Sequence, residues 1–132
     1  MISAVFFDLY GTLVGFTPSR HQIQAEACAD FNIKVTRDGI RIGYSNADAL
    51  MANQNTVKPL RELNDSERRL FFAEYERQIL AGSEVDVSIE QALRIWERIQ
   101  KIPYKMAVFE DVFPVMKSLK GQGLTLALIS NM

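Results

Sequence analysis

The polar and apolar positions of this chain fall into two rhythms. At the start, Ile2 to Phe7 is a nearly continuous apolar run broken only by Ser3, the pattern of a strand buried on both faces of a sheet. Near the other end, Leu124 to Ile129 repeats it, broken only by Thr125. Between them, apolar residues recur every three or four positions, as in amphipathic helices. Ile23, Ala27 and Phe31 predict a helix over about 18–30, with Thr17 as N-cap and Pro18 in the first turn. Ile40, Tyr44, Ala47 and Met51 predict a second over about 37–52, capped by Thr36. Gly39 and Gly43 weaken it by about 1 kcal/mol each, so packing must hold it. A polar stretch with Pro59, from Gln54 to Leu63, reads as a loop.

Asn64 and Glu67 have capping-box spacing and start a third helix that reaches about Ala81, with Phe71, Phe72, Tyr75 and Ile79 as its stripe and Gly82 as its stop. Ile89, Ala92, Leu93, Trp96 and Ile99 make a fourth, in which Trp96 reads as a core anchor. Four such helices can bury their stripes against one another, and this helical domain is expected over about 16–102. Val14-Gly15-Phe16 and Pro103-Tyr104 read as the linkers into and out of it. A last helix, about 110–121, carries Val112, Val115, Met116 and Leu119, with Pro114 near its start, where proline is tolerated.

Composition narrows the function classes. With 48% hydrophobic and 23% charged residues, the chain has the make-up of an ordinary globular protein. A net charge of -1 offers no electrostatic case for nucleic acid or an anionic membrane. The single cysteine, Cys28, cannot form an internal disulfide, which suits a reducing compartment. The first apolar run is too short for a signal peptide or a membrane span. The expected location is the cytoplasm. The lone histidine, His21, is assigned no role.

The sharpest break in the pattern is Asp8, a carboxylate set where the first strand ends. In open parallel sheets, reactive groups sit just beyond the carboxyl ends of strands. Gly11 permits a tight or left-handed turn after it, and Thr12 can hydrogen-bond nearby backbone or carboxylate oxygens. A strand that simply ends in an Asx-type turn is the ordinary alternative.

The sequence Asp8-Leu9-Tyr10-Gly11-Thr12-Leu13 after an apolar strand resembles the first motif of the haloacid dehalogenase (HAD) superfamily. The strand ending in Ser130-Asn131 is similar to that family's second motif, in the right order and at a separation that leaves room for a helical cap. The resemblance implies an α/β fold. Residues 1–15 and 103–132 would form the N-terminal part of a Rossmann-like, HAD-type parallel sheet core. Residues 16–102 would form an inserted four-helix cap, and the two strands would lie side by side.

The resemblance also implies roles. Asp8 matches the nucleophile that attacks phosphorus or an sp3 carbon to give an aspartyl-enzyme, which water then hydrolyses. Ser130 and Asn131 would give hydrogen-bond donors to the substrate, with Thr12 counted among the substrate-binding residues. In the family's dehalogenases a cap arginine reaches the substrate carboxylate, because its planar fork matches that geometry. Arg41 lies on a helix where that role is possible, and a solvated arginine is the alternative. Family phosphatases carry a second aspartate, a general acid, where this chain has Tyr10. A phenol of reference pKa about 10 replaces it poorly, whereas halide leaves without a proton. Tyr10 therefore favours a 2-haloacid dehalogenase, for which no cofactor is expected. A phosphate-ester phosphatase, with magnesium possible, is the alternative.

The expected partner is a small-molecule substrate, an organic acid halide or a phosphate ester. The family's lysine and acidic-pair motifs follow the second motif. Lys105, Lys117 and Lys120 precede the second strand and do not match that lysine by position. The sequence is accordingly expected to be a fragment of a longer product, or a truncated inactive relative serving as an interaction module. With two core strands only, self-association is expected.

Overall fold

The computed structural model describes residues 1–130. It is a mixed α/β structure with a small parallel sheet and five α-helices among the described residues. The chain divides into two compact units, one formed by Met1–Ser19 and Tyr104–Met132, the other by Arg20–Pro103.

In the first unit, strand β1 (Ala4–Phe7) pairs in parallel with β4 (Thr125–Leu128), Ala4 opposite Thr125 and Phe7 opposite Leu128. Helix α5 (Val112–Gly121) leads into β4 and packs against it. A second ribbon pairs β2 (Val14–Thr17) antiparallel with β3 (Lys105–Val108), Gly15 opposite Ala107. Strand β2 covers the stretch read as the linker into the helical domain, and β3 follows directly on Pro103-Tyr104, the stretch read as the linker out of it. Their pairing has no short-range signal, because the partners are joined by the whole helical unit instead of a hairpin turn. Gly15 is needed there for space: a Cβ would stand 2.7 Å from Cζ of the Phe109 ring.

The strands are less covered than continuous apolar runs suggest. Phe6 is 63% exposed and Leu128 57%, so the expectation of burial on both faces does not hold for β1 and β4 among the described residues. Among the described residues each strand has one neighbour, and much of the sheet is left uncovered.

The helical unit is better packed. It comprises α1 (Arg20–Ala29), α2 (Arg37–Val57), α3 (Asp65–Ala81) and α4 (Ile89–Ile99). Helix α1 starts two residues later than the Thr17-Pro18 pair suggests. The Thr36 hydroxyl accepts from the Gly39 amide at 3.0 Å, so α2 starts where expected. It runs on to Val57 because nothing between Gln54 and Val57 breaks a helix before Pro59. The capping box of α3 is complete: Asn64 Oδ1 accepts from the Glu67 amide, and Glu67 Oε2 from the Asn64 amide, both at 2.9 Å. Ser88 caps α4 through the Gln91 amide at 3.1 Å.

Ile23, Ala27 and Cys28 of α1 share a core with Leu80 of α3 and Ala92 and Ile95 of α4. Trp96 is half-buried and stacks on Phe72, with centroids 4.8 Å apart. Gly39 and Gly43 of α2 lie against the end of α3, where a Cβ on Gly43 would collide with the Ile79 carbonyl. Gly82 ends α3 at φ -61°, so it serves this same close approach and not a left-handed cap. Among the described residues, no helix is long and apolar enough to cross a membrane.

Candidate active site at the carboxyl edge of the parallel strands

Asp8 directly follows β1, and the chain folds back at once. The Leu9 carbonyl accepts from the amides of Leu13 (2.9 Å) and Val14 (3.1 Å), and the Gly11 amide donates to the Val14 carbonyl at 2.8 Å. Gly11 sits at φ +80°, a left-handed conformation in which a Cβ is strained. That turn brings Thr12 back over the strand end, and its hydroxyl donates to Asp8 Oδ2 at 2.9 Å. One carboxylate oxygen, Oδ2, is thereby held. Asp8 itself is exposed.

Strand β4 delivers Ser130 to the same edge. The Ile129 amide donates to the Phe7 carbonyl at 2.9 Å, continuing the parallel register one step past the strands, so Asp8 and Ser130 both emerge at the carboxyl ends of neighbouring strands. Asn131 lies outside the described residues. Asp8, Thr12 and Ser130 are thus gathered at one edge of the sheet.

Tyr10 follows a different course. Its ring packs on Phe16 with centroids 5.2 Å apart, and Phe16 meets Tyr104 edge-on at 5.0 Å. This row of rings ties the turn to the β2–β3 ribbon and gives Tyr10 a packing function whatever else it does. Arg41 belongs to the helical unit, on α2, where it is exposed and 3.8 Å from Asp38. Such a pair is worth little in water.

The sequence reading did not foresee an apolar cavity of about 430 Å³ on the sheet, lined by Phe7 and Leu9, by Leu13 of the turn, and by Val108, Val112, Phe113 and Met116. Phe7 and Leu9 flank Asp8 in sequence, so the cavity wall and the carboxylate share a strand end. That flanking pair is the local signal. The contributions of β3 and α5 depend on long-range folding and have none. Among the described residues, no group of three or more His, Cys, Asp or Glu side chains could hold a metal ion.

No protein-family model matches this chain, and no curated protein matches it significantly.

Proposed function

We propose that this chain is a hydrolase with an aspartate nucleophile, of the haloacid dehalogenase kind, acting on a small 2-haloalkanoate. The observation that carries the reading is Asp8 at the end of a parallel strand, one oxygen held by Thr12 and a serine hydroxyl arriving on the neighbouring strand. In this reading the β1–β4 pair is the first part of a Rossmann-like core, and the helices between β2 and β3 are its cap. The enzyme would work in the cytoplasm on a diffusible substrate.

In this reading the first step uses the groups at the strand ends. Asp8 Oδ1 attacks C2 of the haloalkanoate, a C–O bond forms, and the carbon–halogen bond breaks with its electron pair leaving on the halide. No proton is needed, so Tyr10 in place of a second carboxylate is no handicap. Water then adds at Cγ of Asp8 and the ester C–O bond to Cγ breaks; one water proton passes to the departing oxygen and the other to solvent, so a 2-hydroxy acid leaves with the Asp8 carboxylate restored. Orienting a carboxylate and splitting one displacement into two steps are the sources of rate. Thr12 supplies orientation, and Ser130 a donor to substrate oxygen.

Halide release from a 2-haloalkanoate tests the reading. The wild type should release halide and Asp8→Asn should not, with unchanged folding by circular dichroism. Tyr10→Asp should raise magnesium-dependent hydrolysis of a phosphate monoester, since general acid catalysis is worth about 100- to 10,000-fold. Halide release by Asp8→Asn at the wild-type rate would remove Asp8 from the mechanism.

A further inference from the structure

The helical unit buries a carboxyl group that the proposed chemistry does not use. Glu76 of α3 and Gln24 of α1 are each 1% exposed. Gln24 Nε2 donates to Glu76 Oε2 at 3.2 Å and to the Tyr44 hydroxyl at 3.3 Å, which commits both amide hydrogens. Two acceptors are then left over: Gln24 Oε1 and Glu76 Oε1 are buried without a hydrogen-bond partner among the described residues. A buried acceptor without a donor is costly, and a buried unpaired charge more so. One proton on Glu76 removes both problems, because a carboxylic acid and a primary amide can each donate to the other.

The surroundings offer no substitute. None of the ion pairs among the described residues involves Glu76. From α1 the titratable group near it is Cys28, whose thiol is pushed up to about 12 by burial and by the Glu76 charge. From α2 it is Tyr44, raised by burial and also by Glu76. Arg20 lies over the Tyr44 ring at 4.5 Å and reaches Asp48 at 3.9 Å. On α3 itself, Tyr75 donates to Asp48, and Glu74 pairs with Arg77. Helix α4 adds only Ala92 and Ile95 to the buried interior, while its Glu97 and Arg98 pair with Arg69, Glu26 and Asp30.

We propose that Glu76 is a proton switch built into the helical unit. Neutral, it donates to Gln24 Oε1 and closes a reciprocal acid–amide pair between α3 and α1. Ionised, it leaves Glu76 Oε1 and Gln24 Oε1 without a donor and loosens the packing of α1 and α2 on α3. Burial supports this by raising the carboxyl from 4.5 to about 7, against a smaller opposing effect of the Gln24 bond. The folded protein therefore keeps a proton that the unfolded chain gives up. Stability from this group is full below about pH 4.5, is lost as pH rises through about 7, and is level beyond.

The test compares urea unfolding of the wild type and Glu76→Gln across that range, read by far-ultraviolet circular dichroism. A glutamine forms the same reciprocal pair with Gln24 and carries no proton to lose. Relative to Glu76→Gln, the wild-type unfolding constant should rise roughly 100-fold between the two ends of the range. Parallel profiles would overturn the switch. Infrared spectra of the folded wild type decide independently of the variant's folding. At about pH 6, where ordinary carboxylates are ionised, a protonated-carboxyl band should be present and should fade as pH rises. Its absence would overturn the proposal.

Discussion

Gly43 stands where α2 and α3 touch backbone to backbone, and the Ile79 carbonyl occupies the place a Cβ would take. Backbone yields less readily than the end of a flexible side chain, so Gly43→Ala should destabilise the helical unit by about 3 kcal/mol, seen as a lowered urea midpoint. Helix propensity alone predicts the opposite sign by about 1 kcal/mol, so the direction of the change distinguishes the two effects. From sequence, Gly39 and Gly43 are visible as weak points in a helix, but the surface that compensates them is not. Asp8, Gly11 and Thr12 are legible because their relation is local: a strand end, a left-handed turn and a returning hydroxyl within five residues. Glu76 is not legible. Nothing near it in sequence separates it from Glu74, which sits two positions away and pairs with Arg77 at 3.2 Å. Only the docking of α1 on α3 makes one of them a buried acid.

Helix starts in this chain are set by short polar signals, and these carry over from sequence to structure with little loss. Thr36, Asn64 and Ser88 each accept from an amide three residues on. The Asn64 cap is reinforced because Glu67 also takes a bond from Lys58 Nζ at 2.8 Å, joining the end of α2 to the start of α3. Asn64→Ala should cost about 1 kcal/mol of stability in urea unfolding. The Lys58 bond first, then the Asn64 amide, holds the Glu67 carboxyl below its ordinary value. The stabilisation from Glu67 is therefore present above the ordinary carboxylate range and is lost as pH falls through the depressed value. That slope is opposite to the one set by Glu76. Ends of helices and partners of strands were harder to read. Helix α2 outruns its apolar stripe because only Pro59 stops it. The β2–β3 ribbon is invisible because Val14–Thr17 and Lys105–Val108 meet across the whole helical insertion.

At the scale of the molecule, the two units differ in how well they cover themselves. The helical unit buries its stripes. The unit built on β1 and β4 leaves Phe6, Phe113, Leu128 and Ile129 between 57% and 70% exposed, with one free edge on each strand among the described residues. Uncovered apolar strands invite pairing with another chain. Sedimentation velocity should accordingly show concentration-dependent association, and a monodisperse monomer with slow amide exchange through both strands would contradict it. The chemical claim at the centre is that Asp8 makes and breaks a covalent bond. It is tested most directly by a single turnover of a 2-haloalkanoate in heavy-oxygen water, with the protein in excess, followed by mass spectrometry of the peptide containing Asp8. Attack by Asp8 and hydrolysis at its Cγ predict that the heavy oxygen enters the Asp8 carboxylate, while the first 2-hydroxy acid released carries ordinary oxygen from the protein. Heavy oxygen in that first product with an unlabelled Asp8 peptide, or no turnover at all, would contradict it.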